Sequence, residues 1–205
     1  SIFSASLFIN NCSATNVPIL YQRAKPIFAD IQRDSLNIDP LDIKKKITSK
    51  TKAILIVNWA GNPCDMDEIL DIGKEVGVPV IEDAAHAFGT EYEGKKLGNL
   101  KNNHIVVHSF QAIKHITSID GGCIIFPDKK LTKQARLMRW YGIDRDDNTK
   151  DFRCESNISE WGFKFHMNDV CATVGVENLK YVNKLLKVNR KNAKYYSENL
   201  KDNPK

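Results

Sequence analysis

The chain has 205 residues, 42% of them hydrophobic and 27% charged, with a formal net charge of +5. That balance belongs to a globular protein with one sizeable core or two small ones, and it excludes a disordered chain. No apolar run approaches the roughly 20 residues that cross a bilayer, and the basic residues lack the interleaved aromatics of an RNA-binding surface, so neither a membrane nor a nucleic acid is expected as partner.

The lysines of residues 44–46 and of the stretch 180–205 read as solvated helix faces. Cys12, Cys64, Cys123, Cys154 and Cys171 are odd in number and have no CxxC spacing, which argues against a disulfide framework and for a reducing, cytoplasmic setting. Ser1 to Leu7 has no basic region ahead of a long apolar stretch and does not read as a secretory signal. The expectation is an internal piece of a longer protein.

In chain order, residues 25–31 predict a short strand after a helix, and residues 53–58 form a near-continuous apolar run of the kind buried in a parallel sheet. Residues 66–76 have helical spacing, with Ile69, Ile72, Gly73 and Val76 on one face and Asp65 as N-cap. A strand follows at 78–81, its proline marking the start, and ends on Glu82-Asp83. Residues 104–110 and 122–126 are two more apolar runs. Residues 130–141 predict a helix stopped by Gly142, residues 144–159 a polar loop, and residues 168–200 helix with a break near Val182-Asn183. The order implies an α/β fold: an open, mostly parallel sheet flanked by helices.

In such sheets ligands gather beyond the carboxyl ends of the strands. Three places answer that description: residues 80–87, where Glu82-Asp83 are followed by small residues and His86; residues 109–115, from Ser109 to Lys114 and His115; and Asp120-Gly121-Gly122. A strand-end carboxylate and a lysine on a neighbouring loop form a catalytic pair, or else a helix cap and an exposed side chain. Spacing alone leaves both open. No His, Cys and carboxylate set has metal-ligand spacing.

The order Glu82-Asp83-Ala84-Ala85-His86-Ala87, then Ser109-Phe110, then Lys114, then Gly121-Gly122 closely resembles the DegT/DnrJ/EryC1/StrS sugar aminotransferases. Residues 24–31, 36–40, 51–54, 61–67 and 162–169 resemble that family's segments in their expected order, so the likeness runs over roughly residues 12–200. It implies the large domain of a fold-type I aminotransferase dependent on pyridoxal 5'-phosphate, truncated at both ends. Residues 1–146 would be the central part of the cofactor-binding domain, and residues 147–205 a loop and helices leading toward a small C-terminal domain.

The resemblance also implies roles. Asp83 pairs with the pyridinium nitrogen; Lys114 holds the cofactor aldehyde and, once released, carries protons, tasks that need an uncharged amine. His86 reaches the phenolic oxygen, where relatives often have Gln; the alternative is a helix-start histidine with no role. Ser109 donates to the phosphate. Lys164 stands where relatives carry Asn, in a loop that reaches the phosphate of the neighbouring subunit of a homodimer. Trp59 could line the sugar site or fill the core, with core the preferred reading, and His108 and His115 are left without a role. The implied substrates are glutamate and a nucleotide-linked keto deoxysugar. Two rivals are a nucleotide-binding module, which needs a GxxxxGK[ST] loop the chain lacks, and a non-catalytic relative that keeps the fold.

Overall fold

The computed structural model describes residues 2–4, 13–99, 104–146, 158 and 160–203. Most of the 144–159 loop and Cys12 and Cys154 lie outside these residues. Six strands form one sheet: β1 (Ile2–Ser4), β2 (Pro26–Ile27), β3 (Ala53–Val57), β4 (Val80–Asp83), β7 (Ile105–Ser109) and β8 (Gly122–Ile125), in the order β2-β1-β3-β4-β7-β8. All neighbours are parallel except β7 and β8. The expected open, mostly parallel sheet is therefore present. Helix α1 (Ser13–Tyr21) follows β1. Helix α2 (Pro40–Lys46) starts on an Asp39 cap with proline at its first turn, a start signal in Asp39-Pro40 that the sequence reading passed over.

Helix α3 (Met66–Val76) was expected, but two details differ. Asp65 occupies the cap position without capping; its carboxylate accepts from Gln32 Nε2 at 2.7 Å instead. The buried face is Met66, Ile69, Ile72 and Gly73, while Val76 in the last turn is exposed. That face meets Ile54, Ile56 and Val80 of the sheet and Ile43 of α2 in the main core. Strand β4 begins two residues later than expected, with Pro79 ahead of it, and ends on Glu82-Asp83 as expected; the ladder pairs Val80 to Asp83 with residues 54–57. Glu82 and Asp83 thus belong to the strand and point to opposite faces.

A hairpin of β5 (Glu91–Tyr92) and β6 (Lys95–Lys96) follows. It turns on Glu93 and Gly94, both with positive φ, as a two-residue mirror-image turn requires. Only two residues of the expected 25–31 strand pair, since Ile31 instead bridges Ile38. Helix α4 (Lys129–Met138) ends before Gly142, the Gly142 N–H reaching back to the Leu137 carbonyl. The C-terminal helical stretch is α5 (Asp169–Leu179) and α6 (Val182–Leu200), parted at Lys180-Tyr181. Among the described residues no helix is long and apolar enough to cross a membrane.

Candidate active site

The chain reverses its direction of travel across the sheet after β2, so that β1 has β2 on one side and β3, β4 and β7 on the other. The carboxyl ends of β3, β4 and β7 deliver Asn58, Asp83 and Ser109 to one rim. Parallel register sets Asp83 beside Val107, and strand alternation puts Ser109 on the same face as Val107 and Asp83.

Asp83 is half-buried, and both its oxygens are occupied. Thr15 Oγ1, from α1, donates to Oδ2 at 2.7 Å, and the Ala85 N–H donates to Oδ1 at 3.1 Å. Each carboxylate oxygen keeps further acceptor capacity. Thr15 was missed in the sequence; its only signal was a hydroxyl residue in the first turn of the helix after β1.

His86 lies in the turns beyond β4, not at a helix start, with its ring edge-on to Trp59 at 5.4 Å between centroids. Trp59 is therefore half-buried on the site side rather than core, held out by a single helical turn, Trp59–Gly61, in which Ala60 has φ 52°. Burial, followed by the Lys114 charge, holds the His86 imidazole below its ordinary value of 6.5, with Asp83 pulling upward and His115 adding to the depression. Asp83, Lys114 and His115 thus lie near enough for their charges to act on His86.

Lys114 is half-buried on the loop between β7 and β8. That loop is cinched at its neck: Phe110 N–H donates to the Gly121 carbonyl at 2.8 Å, Ser118 N–H to the Phe110 carbonyl at 2.9 Å, and Ser118 Oγ to the Asp120 carbonyl at 2.6 Å. Ile119 is left at φ 72°, a conformation a β-branched residue adopts only under constraint. Gly122 lets β8 approach β7, because a Cβ there would collide with the His108 carbonyl oxygen. Helix α5 braces the loop through Asn178 Nδ2, which donates to the Thr117 carbonyl at 2.8 Å. The Ser109 hydroxyl accepts from the Gln111 N–H at 3.3 Å, which leaves its own proton to donate.

Lys164 makes its contacts elsewhere in the chain. It pairs by backbone with Trp140 and holds its exposed ammonium 5.3 Å from the indole centroid. His108 is buried against the Ala84 carbonyl at 3.2 Å and the ring of Phe88, so its place is structural. Burial lowers it too, against opposing pulls from the Ala84 carbonyl and the Glu82 and Asp83 charges.

The sign of the pH response follows. His86 and His108 bind protons less readily in the folded chain than in the unfolded one, so the fold loses stability as pH falls below about 6.5. Urea midpoints are expected to drop between about pH 7.5 and about pH 5.5, and to drop less in His108→Gln. A midpoint that holds steady on acidification contradicts this.

A rim that presents a carboxylate, an imidazole, an amine and a hydroxyl, each half-buried, suits a phosphorylated cofactor with a basic ring nitrogen and an aldehyde. Together with the sheet topology it defines the class: the large domain of a fold-type I aminotransferase. Comparison with known proteins is consistent with this. The sequence profile of the DegT/DnrJ/EryC1/StrS aminotransferase family matches residues 9–205. An uncharacterized protein of Methanocaldococcus jannaschii, MJ1066, is 39% identical over 194 residues, 93% of this chain and 50% of its own. The crystal structure of AtS13 from Actinomadura melliaura is similar at 39% identity and a TM-score of 0.89, with 99% of this chain and 54% of that one covered. The sugar aminotransferase CalS13 from Micromonospora echinospora is similar at 32% identity and a TM-score of 0.89, with 97% and 54% covered. The chain belongs to the DegT/DnrJ/EryC1/StrS aminotransferase family, and it spans about half the length of these relatives.

Proposed function

We propose that this chain is the cofactor-holding part of a sugar aminotransferase that moves an amino group from glutamate to a keto carbon of a nucleotide-linked deoxysugar. The observation that carries the reading is the placement of Asp83 at the carboxyl end of β4, His86 in the turns just beyond it, and Lys114 on the adjoining β7–β8 loop, near enough for both charges to act on the imidazole. Membership of the family and the likeness to the sugar aminotransferase CalS13 support it. Bound pyridoxal phosphate supplies an electron sink for the carbanion left when an amino acid loses its α-proton.

The chain's own groups do the rest. Asp83, fixed by Thr15 and the Ala85 N–H, accepts from the protonated ring nitrogen and keeps the positive charge there. His86, held neutral at pH 7 chiefly by its burial, offers one N–H to the phenolic oxygen. Ser109 donates to the phosphate. Lys114 is the catalytic residue: its amine would hold the cofactor aldehyde and, once displaced by the amino donor, would carry the substrate's α-proton to the former aldehyde carbon. Lys164 serves the phosphate of a neighbouring subunit in a homodimer, as a point charge in place of an amide.

In this reading residues 1–146 are the central part of the cofactor-binding domain, and residues 147–205 lead toward a small domain. The protein works in the cytoplasm.

The test is the first half-reaction. Full-length protein loaded with pyridoxal phosphate and given glutamate is expected to yield 2-oxoglutarate and pyridoxamine phosphate in equal amounts, by absorbance and chromatography. Cofactor binding with neither pyridoxamine phosphate nor a 2-oxo acid formed from any amino donor identifies a non-catalytic relative instead.

A further inference from the structure

On the far face of β4 from Asp83, Glu82 is fully buried, with 0% of its surface exposed. Its carboxylate accepts from His104 Nε2 at 2.8 Å on one oxygen and from Asn58 Nδ2 at 2.6 Å on the other. Asn58 is also 0% exposed, and its Oδ1 accepts from the Cys64 N–H at 3.0 Å. Burial pushes the adjoining Cys64 thiol up to about 12, so no thiolate competes there. The network takes one residue from the end of β3, one from β4 and one from the start of β7.

Stability does not account for it. A buried carboxylate is costly even when hydrogen-bonded, and apolar residues of similar volume commonly serve a core as well or better. What the network has that an apolar cluster lacks is direction, and it is directed at Asp83. The Asn58 N–H donates to the Asp83 carbonyl at 3.1 Å while its side chain holds Glu82, so Asn58 grips two consecutive residues of β4. On the other side Ala84 N–H donates to the Val107 carbonyl at 2.8 Å, and His104 ties Glu82 to the same strand's start. The backbone of Asp83 is held from both neighbouring strands.

We propose that Asn58, Glu82 and His104 form a positioning network that sets the Asp83 carboxylate toward its ligand across the sheet. The inference rests on the reading of Asp83 as the cofactor's ring-nitrogen partner. A carboxylate in that role must stay within about 0.5 Å of its productive place. Thr15 and Ala85 orient its oxygens, and the network fixes the strand from which it projects.

The experiment is a double-mutant cycle read by the dissociation constant for pyridoxal phosphate, measured by absorbance titration of the full-length protein. Glu82→Gln is expected to weaken binding about tenfold, within the coupling range for groups sharing one network. In an Asp83→Asn background the same change is expected to cost less than about twofold, because there is no longer a carboxylate to position. His104→Gln is run through the same cycle as the second variant. Equal losses in both backgrounds, or no loss in either, overturn the proposal, as does failure of both variants to fold. If Asp83→Asn alone leaves affinity unchanged, the reading of Asp83 falls, and the network has no such partner to position.

Discussion

Replacing Lys114 with alanine is expected to abolish covalent capture of pyridoxal phosphate and to slow the half-reaction with glutamate by at least about a thousandfold. The loss combines two tasks that other side chains do not duplicate. General acid–base transfer alone is worth roughly 10²–10⁴-fold, and covalent anchoring is lost as well. The charges of Lys114 and His115 both act on His86, but His86 is committed to another atom in the proposed arrangement. The check is reduction with borohydride, digestion and mass spectrometry of the full-length protein. A phosphopyridoxyl group is expected on the peptide carrying Lys114. Exposed lysines such as Lys95 and Lys96 on the β5–β6 hairpin supply the internal comparison. Label spread evenly over these, or a half-reaction that survives Lys114→Ala, removes the lysine from the mechanism.

The frame of the site could be read from the sequence because buried parallel strands are near-continuous apolar runs, and the chain's chemistry sits where those runs stop. Residues 53–58, 104–110 and 122–126 mark their strands to within one or two positions. What the sequence hid were long-range partners. Thr15 and Asp83 are 68 residues apart, and no local pattern marks a threonine as the donor to a distant carboxylate. The β5–β6 hairpin was too short for a periodic signal, although Glu93-Gly94 fits a tight turn. Trp59 was open between core and sugar site, with core preferred; the turn at Ala60 leaves it half-buried beside His86 instead. Glu82 was legible in principle. Alternation along Val80, Ile81, Glu82 and Asp83 puts it on the buried side with Val80, and a carboxylate there implies buried donors. Asp65 shows the opposite case, a residue with every local mark of a helix cap that spends its carboxylate on Gln32.

Asp83→Asn is expected to keep the fold and reduce the half-reaction by about 10²–10³-fold, the usual cost of removing one preorganised electrostatic contact. The substitution is nearly isosteric. An asparagine oxygen still accepts from the Ala85 N–H, and the Thr15 hydroxyl can rotate to accept from the amide nitrogen in place of donating to Oδ2. What disappears is the negative charge, and with it the preference for a protonated ring nitrogen. Because Asp83 also raises the affinity of His86 for its proton, the variant should lower the His86 midpoint further, a change that NMR titration of the imidazole reads without any turnover. Rate and titration together separate the possibilities. A slower half-reaction with a lowered His86 midpoint and an unchanged unfolding curve assigns the loss to charge. A slower half-reaction with an early unfolding transition assigns it to the strand end, and an unchanged rate removes Asp83 from the proposed chemistry.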